Sequence, residues 1–390
     1  MQPDHADVAR MREALALAET AIGVSDPNPR VGCVIARGDG TTISIGATQR
    51  AGGPHAEMVA LREARAHGFD TRGATAWVTL EPCAHHGRTP PCCDALIAAG
   101  LRRVVVAVVD PYPVVAGAGI ARMRAAGLQV DMADAAAANA AWQLNIGFFS
   151  RVLRQRPWVR VKVAASLDGR TGLDNGVSQW ITSVAARTDG HAWRKRASAI
   201  LTGVGTVLAD DPRLDVRFVA TEMQPLRVVV DSSLRTPPSA SLLAQPGRAL
   251  LATTPGANSN CAKALRSTGA EVLQLPSRDG RVDLAILLKE LSRREVNEVH
   301  VEGGPQLTTA LLESELVDEI LLYMAPRLLG GQRGIVAWPK LESLAQGTEL
   351  EMLDVHRVGT DLRLRMRPTY TPVFGPTWPA SAPSKIFTVR

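Results

Sequence analysis

Residues 80–93, Leu-Glu-Pro-Cys-Ala-His-His-Gly-Arg-Thr-Pro-Pro-Cys-Cys, read together with His55-Ala56-Glu57, constrain this chain more than any other stretch. A histidine and two cysteines are three of the four donors of a tetrahedral zinc centre, and the open fourth position takes a water that the metal acidifies toward neutrality. In this pattern the glutamate two residues after the histidine is not a ligand; it carries a proton from that water to a departing amine. His55, Cys83 and Cys92 are therefore the candidate zinc ligands and Glu57 the candidate acid/base of a hydrolytic deamination. Buried, unliganded thiols are the plainer alternative. A purely structural zinc would want a fourth protein ligand, which Cys93 or His85 could supply.

The surrounding pattern favours the catalytic reading. Residues 5–22 carry apolar positions at helical spacing, Ser25-Asp-Pro-Asn-Pro29 is a turn stiffened by two prolines, and strands over 31–36 and 42–47 are joined through Gly38-Asp-Gly40. A helix over 56–67 puts His55 and Glu57 at its N-terminus, where backbone amides face the site. A strand over 76–80 delivers Glu81-Pro-Cys83, and Cys92 opens a helix to residue 99, a position that favours thiolate. Strands over 103–110 and 128–132, a helix over 120–126 and an Ala-rich helix over 134–150 complete a layered α/β unit. The spacing is unusual for a nucleobase deaminase: eight residues separate Cys83 from Cys92 where two are common. The inserted loop holds His85, His86 and Arg88, either a solvated loop or a clamp for an anionic substrate.

Composition narrows the partners. The 390 residues allow two domains, and five cysteines with three packed between 83 and 93 read as metal chemistry in a reducing compartment. No apolar run reaches membrane length and no signal pattern opens the chain, so a cytoplasmic protein without a membrane partner is expected. A net charge of +6 permits an anionic partner. Lys and Arg form no run of five, so a phosphorylated metabolite fits as well as nucleic acid.

The charged stretch 151–157, ending in proline, marks a boundary, which predicts domains over 1–150 and 151–367. Helices are expected over 184–197, 283–293 and up to 313. Strands are expected over 159–165, 199–202, 227–231, 249–253, 271–274, 296–301, 317–324 and 361–367, a mostly parallel sheet. Beyond 367 the chain is rich in proline without periodicity and reads as an extended tail over 368–390. Four stretches stand at strand ends: 162–170, 178–182, 203–217 and Val301-Glu-Gly-Gly-Pro305. The glycines suit approach to a phosphate, but Leu208 stands where a dinucleotide fingerprint needs its third glycine. From the residues alone this half is an α/β domain with a phosphate or nucleotide ligand.

Taken together, these motifs resemble the bifunctional deaminase–reductase family of riboflavin biosynthesis. Asp26-Pro-Asn-Pro-Arg-Val-Gly32, His55-Ala-Glu57 and 81–92, with the long cysteine spacing, resemble the family's deaminase motifs. Ser166-Leu-Asp-Gly-Arg170, Ser178-Gln-Trp-Ile-Thr182, Thr206-Val-Leu-Ala-Asp-Asp-Pro212 and 301–305 resemble its reductase motifs, and the match runs in order from about residue 5 to 367. The resemblance implies a cytidine-deaminase-like three-layer domain followed by a dihydrofolate-reductase-like α/β domain, with zinc and NADPH as cofactors. It implies that Asn28, His85 and Arg88 hold the pyrimidine and ribose phosphate. Ala164, Trp180, Thr206, Asp210, Ser232, Gly304, Pro305, Gln306 and Leu307 match cofactor-contacting positions; Ser178, Arg194, Leu214, Arg217 and Glu302 match substrate-contacting ones. The expected partner is a phosphoribosyl pyrimidine, not nucleic acid, and a homo-oligomer is expected. Val177, Tyr112 and Ala118 depart from the family pattern, and Cys93 is additional.

Overall fold

The computed structural model describes residues 5–84, 91–112, 116–339 and 341–376. They form two compact units, one holding the described residues through Gln155 and again from Val373, the other running Arg156–Pro372.

The first unit is built from α1 (His5–Thr20), β1 (Gly32–Ala36), β2 (Thr42–Ala47), α2 (Ala56–Ala66), β3 (Thr75–Val78), α3 (Cys92–Ala98), β4 (Arg103–Val106), α4 (Ala118–Ala125), β5 (Gln129–Met132), α5 (Ala135–Leu144) and α6 (Ile146–Arg154). Its sheet has the order β2-β1-β3-β4-β5. The first three strands pair antiparallel and the last three parallel. Two glycines let helices lie directly on opposite faces. A Cβ at Gly32 would come 1.9 Å from the Ala14 carbonyl of α1, and one at Gly46 would come 2.2 Å from the Ala56 carbonyl of α2. This gives three layers. Asp7 of α1 is fixed to the sheet by Trp77 and by both terminal nitrogens of Arg103, whose Nε reaches Asp131.

The helix expected over 134–150 is two helices, broken at Asn145. That side chain donates to the Arg30 carbonyl (2.9 Å) and accepts from the Arg30 N–H (2.7 Å), which draws it out of helical register to clasp the 26–30 turn. Phe374 lies in the stretch expected to be an extended tail. It is buried against Trp142, with ring centroids 5.3 Å apart.

The second unit contains β6 (Trp158–Ser166), α7 (Val184–Arg196), β7 (Ala199–Gly203), α8 (Val204–Asp210), β8 (Leu226–Val230), β9 (Ala249–Thr253), α9 (Ser259–Arg266), β10 (Glu271–Gln274), β11 (Ser277–Arg278), β12 (Arg281–Val282), α10 (Leu284–Arg293), β13 (Glu298–Val301), α11 (Pro305–Glu313), β14 (Glu319–Ala325), β15 (Leu350–Val358) and β16 (Asp361–Pro368). Nine strands form one sheet in the order β10-β9-β8-β7-β13-β6-β14-β16-β15. All neighbours are parallel except at β16, which runs antiparallel to both β14 and β15. Ser183, Asn258 and Asp283 cap α7, α9 and α10, and Pro305 occupies the first turn of α11, where its missing N–H costs nothing.

Alternation along β6 separates two environments. Val159, Val161 and Val163 join Leu287, Leu291 and Leu311 in the main core. Arg160 and Lys162 face the other way, and Arg160 is nonetheless buried. Its guanidinium reaches Glu298 on β13 and Glu319 on β14, each at 2.9 Å, and lies over the Trp193 ring of α7. The helices α8 and α9 and strand β15 were not expected from the sequence. The first begins directly on Val204 after the strand, and β15 is an edge strand with most side chains exposed, so neither carries a clear burial period.

Candidate active sites

In the first unit, His55 is the residue before α2, with extended backbone, and Glu57 lies in the first turn. Cys83 follows the β3 strand segment and Cys92 is the first residue of α3. Their donor atoms all lie within 4.8 Å of one another. Tetrahedral zinc, with bonds of about 2.3 Å to sulfur and about 2.1 Å to nitrogen, sets a sulfur–nitrogen separation of about 3.6 Å. His55 Nδ1 is 3.7 Å from Cys83 Sγ and 3.3 Å from Cys92 Sγ, so the donor set fits zinc with Nδ1 as the nitrogen that would face it.

The three donors and Glu57 shift one another's protonation. A hydrogen bond from the Cys92 thiol, aided by His55 and the Cys92 backbone N–H, lowers the Cys83 thiol well below its usual range. Its partner Cys92 is pushed up by the same contact, by burial and by Glu57. Contact with the Cys83 sulfur raises His55. Glu57 is fully buried in the helix turn, and burial raises its carboxyl to about 7. Cys33, beneath it on β1, is held as a thiol by burial and by the Glu57 charge.

Glu81 was not singled out as functional from the sequence, yet it holds the strand end that carries Cys83. Its buried carboxylate accepts four backbone N–H bonds: Asp110 (3.2 Å) and Gly117 (2.9 Å) on one oxygen, Gly119 (2.9 Å) and Ile120 (3.1 Å) on the other. A Cβ at Gly119 would come 2.0 Å from the Pro82 carbonyl, so a glycine is needed there for the α4 start to close on this strand end. A buried acidic residue two positions before a ligand, followed by a Gly-x-Gly, was the available signal. Cys93 is not drawn to the donor cluster; its thiol points to Asp94 (3.7 Å). Asn28 sits in the turn closed by its N–H to the Ser25 carbonyl. His85, His86 and Arg88 lie outside the described residues.

In the second unit the expected residues gather at the carboxyl ends of adjacent parallel strands, β6, β7, β8 and β13. Ser178 Oγ donates to Asp210 at 3.1 Å. A Cβ on Gly304 would lie 3.8 Å from Thr206 Oγ1, and one on Gly203 would lie 3.7 Å from Leu307, so the turns after β7 and β13 stand side by side. Gly304 precedes α11, with Pro305, Gln306 and Leu307 forming its first turn. Ala164 lies on β6 beside β14, Ser232 follows β8 and accepts from the Val282 N–H, and Trp180 is 57 % exposed. A glycine-containing turn at a helix N-terminus suits a phosphate-bearing cofactor.

The substrate-matching residues are knit together. Arg194 makes a bidentate pair with Glu302 (2.5 and 2.8 Å) and donates to the Asp215 carbonyl (2.9 Å). Partial burial would raise the Glu302 carboxyl, but Arg194 and Lys162 overcome this and hold it well below the usual range. Burial depresses Lys162 in turn. Arg217 pairs with Asp215 at 2.6 Å. Leu214 has its side chain in the core and a left-handed backbone (φ +50°), so its backbone is what the loop presents. His191, not singled out from the sequence, is buried between these arginines.

The comparisons with known proteins agree with this division. Residues 4–108 match the cytidine and deoxycytidylate deaminase zinc-binding region, and residues 157–364 match the RibD C-terminal domain. The riboflavin biosynthesis protein RibD of Escherichia coli is 44% identical over 369 residues, 91% of this chain and 98% of that protein. The chain belongs to the RibD family. An Acinetobacter baumannii RibD structure (39% identity, TM-score 0.83) covers 93% of this chain and 99% of its own. A Thermotoga maritima structure described as a diaminohydroxyphosphoribosylaminopyrimidine deaminase/5-amino-6-(5-phosphoribosylamino)uracil reductase matches at 31% identity, TM-score 0.83 and the same coverage. The expected pair of folds is thereby borne out. As a RibD protein this is a bifunctional enzyme of riboflavin biosynthesis, a deaminase and a reductase acting on a small pyrimidine with zinc and NADPH. No described helix is long and apolar enough to cross a membrane.

Proposed function

We propose that the first unit deaminates 2,5-diamino-6-(5-phosphoribosylamino)pyrimidin-4-one and that the second reduces the ribosyl side chain of the product to ribityl. The observation that carries the first step is the His55, Cys83 and Cys92 cluster with Glu57 buried beside it. These three residues would hold zinc, which supplies a Lewis acid and an acidified water at one open position. Glu57 takes the proton of the attacking water and hands it to the departing ammonia, a task suited to a carboxyl held at about 7. Asn28, with His85 and Arg88, is assigned to the pyrimidine and ribose phosphate.

For the second step, NADPH supplies hydride. Ala164, Trp180, Thr206, Asp210, Ser232 and Gly304 to Leu307 are assigned to the cofactor, and Ser178, Arg194, Leu214, Arg217 and Glu302 to the phosphoribosyl substrate. Their support is the gathering at neighbouring strand ends and the Arg194–Glu302 pair at 2.5 Å. A coupled assay on zinc-loaded protein tests the scheme. Ammonia release followed by NADPH consumption is expected; absence of ammonia from this substrate would remove the first half.

A cytoplasmic homo-oligomer completes the reading. Free cysteines suit a reducing compartment. Edge strand β15 exposes Leu350, Met352, Leu353 and Val355, an apolar row that a second copy would cover. A protein that sediments only as monomer would remove the oligomer.

A further inference from the structure

A buried histidine of the reductase unit meets the Arg194 guanidinium and the Arg217 backbone. His191 lies one turn before Arg194 on α7, and its ring packs on Phe218 with centroids 4.4 Å apart. Its Nδ1 is 3.1 Å from the backbone N–H of Arg217, and its Nε2 is 3.3 Å from Arg194 Nη1. Both neighbours are donors. A neutral imidazole has one lone pair and one N–H, so it can accept only one of them. Burial, then the charges of Arg194 and Arg217, lower His191 to about 4 against the opposing pull of Glu302 and Asp215, so the ring is neutral at pH 7.

The backbone N–H of Arg217 is fixed, whereas Arg194 has other acceptors in Glu302 and the Asp215 carbonyl. The lone pair therefore falls on Nδ1 and the proton on Nε2. That leaves the Nε2–H and Arg194 Nη1 facing each other as two donors, an arrangement satisfied only by an acceptor shared between them. The Arg217 guanidinium, seated over the Phe218 ring at 4.9 Å, stands on the same loop.

We propose that His191 determines specificity for the phosphorylated substrate: its Nδ1 sets the Arg217 loop, and its Nε2–H joins Arg194 in donating to a phosphate oxygen. The proposal rests on the assignment of Arg194 and Arg217 to the phosphoribosyl end. Asparagine keeps an acceptor near Nδ1 and loses the Nε2 donor; glutamine keeps a donor near Nε2.

The test measures reductase KM and kcat for the deaminated phosphoribosyl pyrimidine and for its dephosphorylated riboside, in wild type, His191→Asn, His191→Gln and Arg217→Gln. In His191→Asn the preference for the phosphorylated substrate should fall about tenfold or more through KM, the scale of one hydrogen bond to a charged group. His191→Gln should retain more of that preference. A parallel loss for both substrates in His191→Asn, or equal losses in the two His191 variants, would overturn the proposal. An Arg217→Gln enzyme with wild-type preference would instead show that the phosphate end has been misplaced.

Discussion

The two units build their sites in opposite ways. In the first, three donor atoms within 4.8 Å come from a helix N-terminus, a strand end and a second helix start, all between residues 55 and 92. In the second, the residues are drawn from 164 to 307 and held by charge pairs between distant elements, such as Arg194 on α7 with Glu302 after β13, 108 positions apart. A local site concentrates its chemistry in single atoms; a dispersed one shares binding among many contacts. Substitution should therefore be severe and confined in the first unit and graded in the second. Glu57→Gln breaks the comparison most sharply. It should retain zinc, measured by metal content, while ammonia release falls by roughly 10²–10⁴-fold, the scale of general acid–base catalysis. NADPH oxidation with the deaminated substrate should not change. A variant that kept ammonia release would deny Glu57 its proton-carrying role.

The second unit's vulnerability lies beneath its site. Arg160, Glu298 and Glu319 have side chains no more than 2% exposed. Burial would raise the Glu319 carboxyl, but Arg160 and Arg365 together hold it far below its usual range. Removing one member of such a network leaves a buried charge undercompensated, at a cost of about 3–5 kcal/mol. Arg196 still reaches Glu298 and Arg365 still reaches Glu319, which places Arg160→Met toward the lower end of that range. Denaturant unfolding followed through the reductase unit should register the loss, with ammonia release at 25 °C preserved. A variant as stable as wild type would mean that the two remaining arginines suffice, and the layer would be redundant.

The same contrast explains what could be read from the chain. His55-Ala-Glu57 and the Cys83–Cys92 spacing lie within one stretch, so residue type and helix position were enough to assemble the donor set. Along β6 the valines alternate with Arg160 and Lys162, and nothing in that stretch says what the two cations pair with. Both faces are covered. The carboxylates that permit this sit 138 and 159 positions away, and no local pattern announces them. His191 escaped for a related reason: a histidine on a helix gains meaning only when the 213–218 loop folds against it. The break at Asn145 likewise depends on Arg30, 115 residues earlier.

Glu81 sharpens the comparison from the other side, because it is a local residue whose partners are not. It is not one of the three donors, yet its four N–H bonds fix Asp110 and the 117–120 stretch against the Cys83 strand end. Glutamine in its place turns one oxygen into an amide donor that faces two backbone donors, so two of the four bonds are lost. The Cys83 carrier should then loosen without any change in ligand chemistry. Competition with a chelator should find zinc held roughly tenfold more weakly in Glu81→Gln, the lower range for groups that orient ligands. At saturating zinc most of the ammonia release should return, which separates positioning from catalysis. If saturating zinc restored nothing, Glu81 would be shaping the substrate pocket itself rather than the metal's carrier strand.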